Sequence, residues 1–305
     1  MAARRQWTIS PFSPDIHAAG VLKLWSAVGG FDGSVSARSS RELSALLAHP
    51  ASKRGEAWRV AVAGNDAVVG VLEVRFVGTR RTELSLAVNP AWRRQGIARA
   101  LVDALPTGRR LLAHSRASLD GATAFLTQAG FVERWRDVRL RRSAGDLEPP
   151  RLPSWASLEE DRSRDVDRFL RVAGEALAPD EIEDRDSAAL LLGRPGTRVL
   201  YLQTPQGDQG VVVTSALLQA KKAERDAEGR PTVGVLEHVG LAKPCRGRGL
   251  SRPFVRAGLA RLAKDGYQTL EVIADGRRDS AVDLYVKEGF EAVDEEIRWI
   301  RRDDE

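Results

Sequence analysis

Apolar residues recur with two different periods along this chain, and the two periods alternate in the same order twice. Spacing near 3.6 predicts helices over Asp15 to Val28 and Ser39 to Leu47, and again over Glu159 to Ala176 and Ile182 to Leu192. Strand-like runs follow each pair: Trp58 to Ala63, Val68 to Val77 and Glu83 to Val88, then Arg198 to Gln203, Gly210 to Gln219 and Val233 to Leu241. Gly64-Asn65-Asp66 and Pro205 to Asp208 suit hairpin connections between them. Each half continues with a helix, a strand (Arg110 to His114; Thr269 to Ile273), a second helix and a closing strand (Arg136 to Arg141; Glu296 to Arg301). Strands followed by mixed helices and strands predict an α/β (α+β) layer fold, made twice.

The halves are related by sequence as well as by plan. Leu84 to Leu105 and Leu236 to Ala263 each run from an apolar stretch through a proline and a glycine-arginine turn into a helical pattern. The aligned glycines, Gly96 and Gly249, are 153 residues apart. A second shared block, AFLTQAGF at Ala124 to Phe131 and DLYVKEGF at Asp283 to Phe290, places Gly130 and Gly289 159 residues apart. Two blocks in one order at nearly one offset indicate an internal duplication. Between them Ser143 to Pro153 (SAGDLEPPRLP) carries three prolines, which continue neither helix nor strand. The expected domains are 1–146 and 154–305, with 147–153 as linker.

A length of 305 residues suits two domains. Hydrophobic residues at 43% and charged residues at 29% exclude general disorder. No apolar stretch approaches the ~20 residues of a membrane helix. Met1 to Trp7 has no apolar core behind its arginines, so no secretory signal is expected. Cys245 is the only cysteine, which excludes an intrachain disulfide and a several-cysteine zinc site. No metal is expected, and the chain reads as cytoplasmic. The net charge of +5 divides unevenly: 22 basic against 13 acidic residues in 1–150, and 25 against 29 in the remainder. The basic residues are scattered and lack interleaved aromatics, which points to a solvated surface rather than nucleic acid.

The repeated turn is the chemical feature. Pro244 to Arg252 (PCRGRGLSR) joins an apolar strand to an amphipathic helix. A glycine-arginine turn at a helix N-terminus exposes unpaired N–H groups, and with the dipole these favour a phosphate. The G-x-G-x-x-G fingerprint fails because Arg252 stands at its third glycine, and no G-x-x-x-x-G-K-[ST] loop is present. R-x-x-G-x-small fits both halves: Arg246, Gly249, Ser251 and Arg93, Gly96, Ala98.

The run strand, a proline separated by one or two residues from R-[GR]-x-G-[IL]-[AS], helix, strand, A-x-x-[FL]-[LY]-x-x-x-G-F resembles the GNAT superfamily of acyl-CoA N-acyltransferases, once in each half. The resemblance implies two tandem domains, each a mixed, splayed, mostly antiparallel sheet flanked by helices. It implies acetyl-CoA as cosubstrate, lying between two strands. Backbone amides of Arg246, Gly247, Arg248, Gly249, Leu250 and Ser251 would hold its pyrophosphate, as would those of Arg93, Arg94, Gln95, Gly96, Ile97 and Ala98. Backbone N–H groups near Val239 to Leu241 would polarise the thioester carbonyl, and Leu86 and Val88 are the cofactor-binding strand positions of the first half. Two positions depart from the family pattern: Ser251 is larger than the usual Gly or Ala, and Arg278 stands where an asparagine is common.

Attack of a neutral amine on a thioester needs a base, an oxyanion donor and an acid for the thiolate. Glu237 sits in VGVLEHVGL, where a carboxylate is costly to bury without partners or a task; the resemblance implies a base on this strand. His238 is expected on the opposite face. Tyr285 matches the family tyrosine that protonates the thiolate. Cys245 has no paired histidine and is not expected to act as a nucleophile. In the first half Leu126 stands at the tyrosine position, the helix after the turn stops at Pro106, and Glu83 lies one register from the base position. That half is therefore expected to be degenerate and the second catalytic. Glu175 to Asp186 (EALAPDEIEDRD) would give an acidic acceptor wall that steers a small, cationic amine, or else a solvated face. Lys221 to Arg230 reads as an exposed, mobile hairpin tip. A non-catalytic acyl-CoA-binding regulator and a protein-lysine acetyltransferase are the alternatives. Oligomeric state is left open.

Overall fold

The computed structural model describes residues 6–32, 40–48, 58–77, 81–105, 108, 110–145, 147–148, 150–177, 185–194, 196–217 and 224–302. The middle of the acidic segment (178–184), the start of the charged insert (221–223) and Pro106 lie outside the described residues. In chain order the first half holds β1 (Trp7–Pro11), α1 (Pro14–Asp32), α2 (Ser40–Ala48), β2 (Arg59–Ala63), β3 (Val68–Val77), β4 (Arg81–Val88), α3 (Ile97–Asp103), β5 (Arg110–Arg116), α4 (Asp120–Gln128) and β6 (Val132–Ser143). The second holds β7 (Ser157–Asp161), α5 (Val166–Ala176), α6 (Arg185–Gly193), β8 (Arg198–Thr204), β9 (Gly207–Ala216), β10 (Val233–Leu241), α7 (Ser251–Lys264), β11 (Thr269–Asp275), α8 (Asp279–Val286) and β12 (Glu291–Arg302).

Two compact units result: Met1–Arg136 with Glu296–Glu305, and Asp137–Glu295. In the first unit β1 to β4 pair antiparallel in sequence order, β5 adds parallel to β4, and the end of β12 adds antiparallel to β5. The second unit repeats this with β7 to β10, then β11, then the end of β6. The helices α3 and α7 are the crossovers that a parallel pair requires. The closing strands differ from expectation. Each half was expected to close its own sheet, whereas the last strand of each half completes the sheet of the other unit.

Alternation explains the layers. In the second unit Val199, Tyr201, Val211 and Val213 pack with Phe169, Val172 and Ala173 of α5 and Leu191 of α6. Their neighbours Leu200, Leu202 and Val212 point the other way, into a core with Phe254, Leu259 and Leu262 of α7. Glycine makes the helix–sheet approach close: a Cβ on Gly258 would come 2.6 Å from Leu236. In the first unit Gly70 plays this part, facing Ile97 and Leu101 of α3.

Two strands were not expected. β1 and β7 are five-residue edge strands, too short to show a period of two. The helix expected from Glu159 begins only at Val166, because Asp165 caps it by accepting from the N–H groups of Asp167 and Arg168. The residues before it pair with β8, Glu159 opposite Tyr201. The charged insert is also better anchored than expected. Asp226 and Arg230 close its turn by reciprocal hydrogen bonds, and Glu224 pairs with Arg141 at 2.6 Å.

One buried acid ties α7 to α8. Glu288 accepts from Arg252 Nε at 2.6 Å and from Arg256 Nε at 2.7 Å. Burial alone would raise its carboxyl; the two guanidinium groups outweigh burial and hold it below the usual carboxylate range. A depressed folded-state pKa stabilises the fold above the unfolded value of about 4.3, and that contribution fades as pH falls through the folded value. Glu288→Gln is expected to cost about 2 kcal/mol at pH 7 and less at about pH 3. Thermal melts of both proteins at the two pH values check this.

Candidate active site

The turn after β10 begins with a 3-10 turn, Lys243–Cys245, and ends where Leu250 leads into α7. Gly247 and Gly249 take φ of +72° and +73°. At the matching places of the first unit, Arg94 and Gly96 take +59° and +80°. Both turns therefore share one backbone shape. Left-handed φ strains any residue with a Cβ, which accounts for glycine at three of the four places. A Cβ on Gly96 or Gly249 would meet no protein atom within 4 Å, so the space over each turn is open.

The amides of Arg246 and Arg93 do not face that space. Each donates back into its own turn, to the carbonyls of Lys243 and Pro90. Among the described residues, the N–H groups of Gly247 to Leu250 find no backbone acceptor. The donors expected at Arg246 and Arg93 thus begin one residue later, at Gly247 and Arg94. The Arg246 side chain is structural too: Nε donates to Leu241 O at 2.7 Å and Nη2 to Ala176 O at 3.1 Å. Arg93 Nε donates likewise to Val88 O at 3.2 Å. Arg248, Arg94 and Gln95 are exposed, Ser251 is exposed at the first turn of α7, and Ala98 is half-buried. Leu250 and Ile97 are buried anchors of their helices. These residues fit a diphosphate held by main-chain donors on an open turn.

The sheets open beside both turns. Parallel pairing ends at Leu84 opposite Ala113 in the first unit and at Leu236 opposite Val272 in the second. Beyond these points the strands diverge, leaving Leu86 and Val88, or Val239 and Leu241, along the opening. Leu86, Val88 and Val239 are half-buried against the cores, and Leu241 is buried.

Here the units part. β4 runs opposite β3 without interruption from Arg81 to Val88. β10 carries a bulge between Glu237 and Gly240, with His238 at φ +50°. The bulge adds one residue, which explains why Leu84 and Leu236 lie 152 residues apart but Gly96 and Gly249 lie 153 apart. It also corrects the expectation for His238. Glu237 lies opposite Val213 and faces the α5–α6 side. His238 joins it on that side, its ring 6.0 Å edge-on from Phe169 of α5. Val239 then turns back toward α7.

The Glu237 side chain is 30% exposed. The Ser215 hydroxyl donates to its Oε2 at 3.2 Å, and Arg194 Nη1 lies 3.7 Å from the same oxygen. Neither partner was legible in the sequence, since Ser215 reaches Glu237 diagonally across β9 and Arg194 follows α6. Tyr285 sits on the opposite side of the sheet, in the α7–α8 core. It is 6% exposed, its ring 5.7 Å edge-on from Phe290. Cys245 is buried, and burial pushes its thiol up, which suits packing rather than nucleophilic attack.

In the first unit Ser85 occupies the place of Glu237, and its hydroxyl lies 3.5 Å from the buried carboxylate of Glu73 on β3. Glu83 is ion-paired with Arg75, whose Nε is 3.0 Å from it. Leu126 is buried at the tyrosine position. Among the described residues, no group of three or more His, Cys, Asp or Glu gathers as for a metal. No described helix is long and apolar enough to cross a membrane.

A sheet that opens beside an amide-lined glycine turn has room for an extended ligand that carries a diphosphate. Residues 54–133 match the family described as an acetyltransferase (GNAT) domain. A protein named mycothiol acetyltransferase from Geodermatophilus obscurus is 27% identical over 312 residues, 93% of this chain and 94% of its own. One of the same name from Corynebacterium aurimucosum is 28% identical over 265 residues, 82% and 84%. A solved tandem GNAT protein from the clavulanic acid biosynthesis pathway shares the fold, with a TM-score of 0.74 at 18% identity over 98% of this chain and 99% of its own. A GCN5-related N-acetyltransferase from Sphaerobacter thermophilus does so with a TM-score of 0.70 at 16% identity, covering 98% and 96%. The chain is a tandem N-acetyltransferase of the GNAT family.

Proposed function

We propose that this protein moves an acetyl group from acetyl-CoA directly to a primary amine of a small acceptor, and that turnover takes place in the second unit. The observation that carries the choice of unit is Glu237 itself, set at the opening beside an intact glycine turn with the bulge of β10 directly after it, where the first unit has Ser85. The family match falls on the first unit, whose turn is equally intact. That unit has no bulge in β4, the counterpart of β10, and no acid at the Tyr285 position, so it serves as a scaffold that still holds a diphosphate.

In the second unit the amides from Gly247 to Ser251 hold the pyrophosphate. Strand amides near Val239 to Leu241 polarise the carbonyl. Glu237, from the α5–α6 side, keeps the amine neutral, directly or through water. Tyr285, from the α7–α8 side, gives a proton to the departing thiolate. Glu237 and Tyr285 thus address the thioester from opposite faces of the sheet. A small cationic amine suits the carboxylate at the mouth, and the names of the relatives make an amine of the mycothiol type the first acceptor to assay.

Calorimetric titration of acetyl-CoA tests the two turns. About two equivalents are expected, each of Gly249→Glu and Gly96→Glu removing one by setting a carboxylate where the phosphate lies. Only Gly249→Glu should abolish turnover. Absence of binding to the wild type would overturn the proposal; turnover lost only in Gly96→Glu would move it to the first unit.

A further inference from the structure

Glu237 is held through one oxygen only. Oε2 takes both the Ser215 hydroxyl at 3.2 Å and the Arg194 guanidinium at 3.7 Å. Among the described residues Oε1 has no partner. The Ser215 contact has hydrogen-bond length and comes from a residue only 2% exposed, fixed on a central strand. The Arg194 contact is longer than a hydrogen bond and acts as charge. From these contacts we propose that Ser215 and Arg194 are positioning residues: they fix the Glu237 carboxylate by Oε2 and leave Oε1 as the atom that meets the acceptor amine. This rests on the reading of Glu237 as the base.

The anchor answers a difficulty created by the bulge. The bulge begins directly after Glu237 and interrupts the pairing of its strand there, so on that side the carboxylate has no regular cross-strand neighbour to hold it. A base must stand within hydrogen-bond reach of its proton, and a carboxylate free to rotate at a half-exposed mouth spends much of its time elsewhere. One buried donor on the neighbouring strand removes that freedom. α5 presents Phe169, Val172 and Ala173 to this side. On the neighbouring β11, Glu271 is paired with Arg139 and with Arg141 at 2.6 Å. His238, next to Glu237 on β10, packs on Phe169.

The test is kcat and KM for the amine acceptor and for acetyl-CoA, measured at one pH on the full chain as wild type, Ser215→Ala, Arg194→Gln and Glu237→Gln, and with each of the first two changes combined with Glu237→Gln. Loss of either contact frees the carboxylate to rotate away from the amine, so kcat should fall roughly 10-fold in Ser215→Ala and in Arg194→Gln, with KM for acetyl-CoA unchanged. Added to Glu237→Gln, neither change should lower kcat further, because each acts through the Glu237 carboxylate. Arg194→Lys, which keeps the charge, should return kcat toward the wild-type value. Losses that multiply in the combined variants, or a wild-type kcat in both single variants, would overturn the inference while leaving Glu237 as base. A Glu237→Gln enzyme with wild-type kcat would overturn the reading of Glu237 itself. Arg194 is partly exposed, so its variant reports even if Ser215→Ala unfolds.

Discussion

Glu237→Gln is expected to lower kcat/KM for the amine by about 10²–10⁴-fold, the usual worth of a positioned general base. The amide keeps the volume and accepts the Ser215 hydrogen bond, so the fold should be unaffected. Acetyl-CoA binding should be unaffected too, because the glycine turn lies beyond the bulge on separate main-chain donors. Tyr285→Phe should cost less, since a thiolate is a tolerable leaving group without help, and its buried ring can stay in contact with Phe290. The double variant should fall to background. Initial rates at saturating acetyl-CoA, with binding measured in parallel, separate chemistry from affinity. A double variant turning over at the wild-type rate would place the chemistry outside the second unit.

Most of this site was legible from local pattern, and what was not depended on pairing. The glycine turn could be read because left-handed φ and open donors need particular residues at consecutive places, and the duplication supplied those residues twice. Glu237 stood out as a carboxylate among valines and leucines. The bulge beside it left only a one-residue discrepancy between two offsets, visible once β4 and β10 are aligned by strand register as well as by glycine. His238 was assigned to the wrong face for that reason, because the period of two fails across a bulge. Ser215 and Arg194 are ordinary residues until the sheet is assembled. Positive charge on a glycine turn suggests a ligand contact, yet the guanidinium of Arg246 closes the turn on Leu241 and Ala176. The exchange of the closing strands was hidden because β6 and β12 are equivalent repeats, and either could pair with β5 or β11.

That exchange carries the second large prediction: a fragment of residues 1–146 should show no cooperative thermal transition. Equivalent positions of the repeat show why each closing strand suits only the sheet it joins. On β11, Glu271 lies opposite Arg141 of β6 and also meets Arg139; it is wholly buried. The matching place on β5 is Leu112, opposite Ile300 of β12. Volumes are matched in the same sense. The small Leu126 shares its core with Trp299, whereas the large Tyr285 shares its core with Leu140. Folding each half on itself would set Glu271 against Ile300 and Leu112 against Arg141, leave a void beside Leu126, and crowd Tyr285 with Trp299. A buried charge without its partner costs about 3–5 kcal/mol, and a void of this kind costs about 2–4 kcal/mol. Together these rival the whole stability of a domain, about 5–15 kcal/mol. In the full chain, Glu271→Leu should therefore lower stability by about 3–5 kcal/mol by taking the buried carboxylate away from Arg139 and Arg141, and Trp299→Leu by about 3 kcal/mol. Chemical denaturation of both variants beside the wild type gives these differences. A fragment of residues 1–146 that melts cooperatively near the full-length temperature would show that β6 can replace β12, and that the pairing is not selective.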